Sequence, residues 1–277
     1  MKTLYIECNM GAAGDMLMAA LYELLEDKQG FLDTMNGLGL SGVHLEAQSA
    51  STCGIAGTHM AVTVDGEEET EPSAPAEEAH HDHLHSQEEH DHHHHHHEHD
   101  HDHGHGHGEE HHHHHHHATP GHIAEIIDGL PLPDEVKVHA RGVYDAIAQA
   151  EAKAHGCPVG DVHYHEVGAL DAVADVTGVC YALSLLKPER ILVSPIHVGS
   201  GTVRCAHGVM PVPAPATANL LAGVPIYGGA VQGELCTPTG AALLVHFAQS
   251  FGPMPVMTTR SVGVGIGTKD FGQANCV

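Results

Sequence analysis

The stretch Thr3–Leu25, TLYIECNMGAAGDMLMAALYELL, decides the fold class. Thr3–Cys8 reads as a short strand, a glycine-containing turn follows, and a helix is expected over roughly Ala12–Asp27. In that helix Met16, Leu17, Ala20, Leu21, Leu24 and Leu25 recur at helical spacing. Further out, a short helix is expected near Phe31–Leu38. A strand pair is expected at Val43–Ser51 and Gly57–Asp65, the second strand alternating as Met60, Val62, Val64. After Pro120 a short helix (GHIAEIIDG) leads through Pro131 and Pro133 into a long one, with Val136, Ala140, Val143, Ile147 and Ala150 on one face. Val162–Leu186 begins as a polar loop and becomes an apolar helix, and Arg190–Val193 and Pro195–Gly199 read as strands. Residues 211–223 are a proline-rich entry into a helix. Residues 237–250 repeat that device, with Thr237 as N-cap and Pro238 at the first helical position. Val256–Gly267 is expected as a last strand punctuated by glycines. Strands alternating with helices favour α/β, with α+β as the other option. Hydrophobic residues are 42 % of the chain, aromatics only 4 % and Trp absent, so the core is aliphatic.

The pattern breaks between Gly66 and Thr119, where large apolar residues almost vanish. Such a segment cannot bury enough surface to offset chain entropy, so a disordered acidic, His-rich insertion is expected. It interrupts a single domain made of residues 1–65 and 120–277. Of 33 His, 23 fall in residues 80–117, with runs at His92, His93, His94, His95, His96, His97 and at His111, His112, His113, His114, His115, His116, His117. Imidazole suits nickel, zinc and copper, and at three to six ligands per ion the tract holds roughly four to seven ions. The bland alternative is a solvated polar segment. A floppy ligand-rich tract fits storage or delivery of metal rather than catalysis.

The charge agrees with a cationic ligand. Lys and Arg number 10 against 36 Asp and Glu, a net −26, and residues 65–110 carry 16 of the acids and no base. A nucleic-acid partner held by a basic face is thereby disfavoured, and an acidic surface attracts cations. The seven Cys, at 8, 53, 157, 180, 205, 236 and 276, form no C-x-x-C pair and read as small buried hydrophobes of a reducing cytoplasm. The N-terminus lacks the apolar run of a signal peptide. No 18-residue apolar stretch occurs, so neither secretion nor a membrane span is expected.

Candidate chemistry concentrates in HYHEVGALDAVADVTG, residues 163–178. His163, His165 and Glu166 stand just before a helix, and Asp171 and Asp175 lie four apart on one side of it. On an otherwise apolar helix two aligned carboxylates are expensive unless something pairs them. The five side chains suit a divalent metal; alternatively, the acids complement the helix N-terminus and the His are surface residues. The turn NMGAAGDM (Asn9–Met16) offers Gly11 and Gly14, whose backbone could approach an anion, with Asp15 assisting a metal or only capping. It is neither a Walker A nor a G-x-G-x-x-G motif. His197, Arg204 and His207 form another polar group, in which the His are candidate metal ligands and Arg204 could meet a phosphate or carboxylate, or sit in a salt bridge. No G-x-S-x-G supports a serine nucleophile, and Cys205 near His207 is no evidence of a catalytic pair.

MGAAGDMLMAAL, the internal His-rich insertion, HYHEVGALDAVADVTG, SPIHVGSGTVRCAHGVMPVPAPAT, GELCTPTGAALL and GVGIGTKDFG occur in this order. Together they resemble the LarC family, the nickel insertases of nickel-pincer cofactor biosynthesis, over essentially all of the chain outside the insertion. The resemblance implies insertion of nickel into pyridinium-3,5-bisthiocarboxylic acid mononucleotide, giving nickel bound through two sulfurs and a ring carbon. It further implies a cytoplasmic lyase that hydrolyses CTP with a divalent cation, Mg or Mn, and a product used by lactate racemase. A homo-oligomer is also expected. Members of the family continue past the segment resembling GVGIGTKDFG into a C-terminal domain associated with nucleotide binding, so a further domain or partner chain is expected to supply the CTP step. The competing expectation is a nickel store or metallochaperone that feeds such a partner. A structural scaffold is the third class weighed.

Overall fold

The computed structural model describes residues 1–68, 118–164, 167–205 and 207–277. Its elements begin with β1 (Thr3–Ile6), α1 (Gly14–Glu23), α2 (Lys28–Asn36), β2 (Val43–Thr52), β3 (Ile55–Val64) and β4 (Glu67–Glu68). Beyond residue 117 come α3 (Pro120–Gly129), α4 (Asp134–His155), α5 (Leu170–Leu186) and β5 (Arg190–Val193). Four short strands follow: β6 (Ile196–His197), β7 (Gly199–Ser200), β8 (Thr202–Cys205) and β9 (Gly208–Pro211). The remainder is α6 (Pro215–Leu220), β10 (Ile226–Tyr227), β11 (Gly233–Glu234), α7 (Pro238–Phe247) and β12 (Ser250–Phe251).

The fold is α/β. β5 lies between β1 and β12, parallel to both, with Leu4 opposite Ile191 and Ser250 opposite Leu192. A separate antiparallel sheet, β2-β3-β4, packs through β3 against α1 and α5. α4 is the central helix and touches α3, α5, α6 and α7. The face read from its periodicity, Val136, Ala140, Val143, Ile147 and Ala150, is fully buried. Each Val or Ile so buried contributes about 1.5–3 kcal/mol. α5 has apolar residues on nearly every side and runs through the interior, as a helix without a polar face must. The proline entries are capped as expected: the Thr237 hydroxyl accepts from the Gly240 N–H at 3.2 Å, with Pro238 in the first turn.

Two expectations need correction. The insertion was placed at 66–119, yet Glu67 and Glu68 pair with β3, Ala118 is buried with its carbonyl accepting from the Tyr164 N–H, and the Thr119 hydroxyl caps α3. Backbone pairing and capping hold these flanks, and the expectation of disorder for 69–117 lies outside the described residues. Val256–Gly267 is not a regular strand; isolated bridges, Thr58 to Gly265 and Ile266 to Cys276, and the Val264 N–H, which donates to the Glu23 carboxylate, tie it down. The reason is contact with a helix. A Cβ on Gly265 would stand 1.8 Å from the Met16 carbonyl oxygen, so the glycine lets this segment lie on the backbone of α1. The hairpin β8–β9 was not anticipated. Among the described residues no helix is long and apolar enough to cross a membrane.

Candidate functional site: two adjoining cavities

The first turns of α1 and α5 converge on a cavity of about 180 Å³. α1 brings Gly14 and Asp15, α5 brings Asp171 and Asp175, and Glu68 of β4 and Glu234 of β11 complete an acidic lining that faces Lys269. Asp171 and Asp175 are partly exposed as residues, but each buries its Oδ1 completely. The Asp175 Oδ1 has no hydrogen-bond partner among the described residues. Burial pushes the Asp175 carboxyl well above the usual carboxylate range, and the neighbouring charges of Asp15 and Asp171 push it further; the Asp15 backbone N–H, which donates to it, pulls the other way. Asp15 is raised to about 6, again chiefly by burial, against the lowering effect of backbone N–H groups and of His59. At the rim the His59 Nε2 meets the Glu68 Oε1 at 2.8 Å, while its Nδ1 lies 3.1 Å from the Ile266 carbonyl oxygen.

The Asn9–Met16 turn is not an open anion cradle. The Gly11 N–H donates to the Cys8 carbonyl and the Ala12 N–H to the Leu235 carbonyl. Gly11 has φ +79°, and a Cβ there would lie 1.9 Å from the Leu235 oxygen, so this glycine serves chain packing and lines neither cavity. The start of α1 receives the chain's own Asp175 carboxylate in place of an external phosphate.

A second cavity, about 150 Å³, shares Val167, Glu234 and Pro238 with the first. Arg204, His207, His163 and His155 line it, with Cys205 and Glu151. The rings of His155 and His207 are 4.8 Å apart, and the His155 Nε2 is 3.4 Å from the Glu151 Oε2.

The expected groupings are therefore redistributed. Asp171 and Asp175 join Gly14 and Asp15 in the acidic cavity, whereas His163 faces the other one, on the far side of Val167. Arg204 and His207, expected in one group, both line the second cavity. His197 lies apart from both cavities: it is buried, its Nδ1 is 2.8 Å from the Asn9 carbonyl oxygen, and its ring stacks on Tyr227 at 4.7 Å. It therefore does not share a site with His207. His165, Glu166 and the runs His92–His97 and His111–His117 lie outside the described residues. Glu68, Glu234, Lys269 and His59 were not singled out from sequence. A lone acid in GELCTPTGAALL, directly before an apolar helix, was the available signal for Glu234.

Among the described residues no three His, Cys, Asp or Glu side chains converge closely enough to hold a metal ion as they stand. The carboxylates surround a space rather than close on a point. Hard oxygen donors in that arrangement fit a divalent cation whose other ligands come from elsewhere.

No solved structure matches the chain. The pyridinium-3,5-bisthiocarboxylic acid mononucleotide nickel insertion protein of Desulfitobacterium hafniense is 36 % identical over 270 residues, covering 98 % of this chain and 56 % of its own length. The protein of the same name from Geobacillus kaustophilus is 36 % identical over 273 residues, covering 98 % of this chain and 57 % of its own. That of Staphylococcus saprophyticus is 34 % identical over 274 residues, covering 99 % and 58 %. The chain thus spans somewhat over half the length of these curated relatives. The family model described as nickel insertion protein matches residues 4–277, and the chain belongs to that family.

Proposed function

We propose that the chain takes part in inserting nickel into pyridinium-3,5-bisthiocarboxylic acid mononucleotide, and that the acidic cavity is where metal and substrate meet. The observation that carries this reading is the cavity itself: Asp15, Asp171, Asp175 and Glu234 around one space, with a buried Asp175 oxygen that lacks a hydrogen-bond partner among the described residues. Carboxylates kept in a low-dielectric site disfavour their own charge, and a divalent cation relieves that penalty. A ligand set that does not close on a point among the described residues suits transfer, because nickel must leave for the substrate and needs open positions for it. The two thiocarboxylate sulfurs at ring positions 3 and 5 bracket the carbon at position 4. Forming the nickel–carbon bond there breaks that carbon's C–H bond, and the proton passes to a base. A carboxylate whose hold on a proton is strengthened by burial, Asp15 or Asp175, is suited to accept it.

The finer features rest on the family resemblance. CTP hydrolysis with Mg or Mn is assigned to the region of the relatives that this chain does not span, and the product to lactate racemase maturation in the cytoplasm. The second reading, a nickel store or delivery protein, is favoured by the 23 His in residues 80–117. One assay separates the two. The chain is supplemented with the remaining part of a relative, CTP, substrate and saturating nickel. Asp15→Asn, Asp171→Asn and Asp175→Asn should each abolish product if the cavity hosts the reaction. Near-normal turnover in all of them would leave delivery as the function.

A further inference from the structure

We infer that the second cavity seats the phosphate of the mononucleotide, so that the ligand lies across both cavities with its ring over the carboxylates. The inference rests on the substrate proposed above and adds its orientation and the residue that selects it. Such a substrate has two unlike ends: a pyridinium ring whose two thiocarboxylates seek the metal, and a phosphate dianion. The paired cavities differ in the same sense. The first is lined by Asp15, Asp171, Asp175, Glu68 and Glu234 against a single Lys269, which attracts the divalent cation that the thiocarboxylates ligate and repels a phosphate. The second holds Arg204 and three imidazoles, those of His155, His163 and His207, beside Glu151, which lies 3.4 Å from the His155 Nε2, and Glu234 of the shared wall. An imidazole offers an N–H donor in either protonation state, and a guanidinium binds phosphate through a two-pronged fork.

Arg204 makes no ion pair among the described residues, in a chain with 36 acids against 10 bases. Other bases, Arg190 and Arg260 among them, also lack an ion pair among the described residues; what distinguishes Arg204 is its place on a cavity with three imidazoles, where its fork can meet an anion. Arg204 stands on the hairpin β8–β9, and its side chain is exposed, so replacing it removes nothing from the core. The two cavities share the wall formed by Val167, Glu234 and Pro238, so one ligand can reach both.

The test uses the full chain and two probes, nicotinic acid mononucleotide and its riboside, which share the pyridinium ring and ribose and differ only in the phosphate. Calorimetry should show the mononucleotide binding at least tenfold more tightly than the riboside. Arg204→Gln should erase that preference while leaving riboside binding unchanged, and Arg204→Lys should restore part of it. Equal binding of the two probes, binding of neither, or a preference that survives in Arg204→Gln would overturn the inference. The proposed reaction fails separately: a phosphate preference that depends on Arg204, together with full nickel insertion by Asp175→Asn, would retain the phosphate seat and remove the reaction from the acidic cavity.

Discussion

Asp175 on α5 lies so close to Gly14 on α1 that a Cβ on Gly14 would come within 2.8 Å of both the aspartate's Cβ and its Oδ2. The next residue's N–H donates to the same carboxylate, so the positive end of α1 faces a buried acid. Gly14→Ala should therefore lower stability by about 1–2 kcal/mol, because the overpacking penalty exceeds the gain in helix propensity. Gly121→Ala, at a helix start with open space around it, is the control and should be neutral or stabilising. Thermal melts of the two variants decide it, and equal behaviour would mean that α1 and α5 separate easily. By moving Asp175, Gly14→Ala should also slow nickel insertion.

Acid groups raised by burial make the metal-free protein weaker as pH rises. The Asp15 carboxyl titrates near ~3.9 unfolded and at about 6 folded. The folded state therefore binds the proton more tightly. The stability Asp15 contributes is full below pH ~4 and is lost as pH rises from there to about 6, a change on the order of 3 kcal/mol. Asp175, also raised by burial and by the charges of Asp15 and Asp171, adds a loss of the same sign. Denaturant melts of the metal-free chain across this range should show the decline, and Asp15→Asn should flatten the pH 4–6 part of it. Nickel added above pH 6 should restore stability through the acidic cavity, which only the folded state assembles. A curve unaffected by Asp15→Asn would place that carboxyl in water.

The flanks of the His-rich segment define how it can be removed. β4 ends at Glu68, and Ala118 and Thr119 anchor α3, so the cut belongs at 69–117. Replacing those residues with a short Gly/Ser linker should leave the melting temperature within a few degrees, since the described core packs without them. Multi-ion nickel uptake should disappear with the tract. In the full chain that uptake should weaken as pH falls, because protons compete for imidazole nitrogens with a pKa near ~6.5. Insertion activity should then suffer only when nickel is scarce. Loss of cooperative unfolding in the deletion would assign the tract a structural part.

Local physics made much of this molecule legible from sequence. The face of α4, the proline-and-threonine helix starts and the β2–β3 hairpin depend on neighbours within a few residues, and periodicity or capping reports them directly. The site was legible in halves. Asp171 and Asp175 stood out because carboxylates on an apolar helix require a reason. Their partners Asp15, Glu68 and Glu234 come from three distant segments, and only the packing of α1, β4 and β11 around α5 brings them together. The glycines of Val256–Gly267 misled for a related reason. In sequence a glycine that punctuates a strand is identical to one that lets a chain rest on a helix, and the contact with Met16 distinguishes them only in space.

A residue kept for function at the expense of stability leaves a recognisable signature, and Asp175 should show it. Its Oδ1 is buried without a hydrogen-bond partner among the described residues, and its neighbours Asp15 and Asp171 are themselves acids. Asp175→Asn keeps the shape and keeps an oxygen to accept the Asp15 N–H, while removing the like-charge repulsion and the burial of a charge. At pH 7.5 without metal the variant should be as stable as the parent or more stable by about 1–2 kcal/mol. Nickel insertion should nevertheless be lost, because the amide is a poor ligand for the cation and cannot take up a ring proton. The two readouts move in opposite directions only if the carboxylate serves the ligand rather than the fold. A melting temperature that falls while insertion persists would make Asp175 a structural cap of α1, and the metal would then have to be sought among the remaining acids of the cavity.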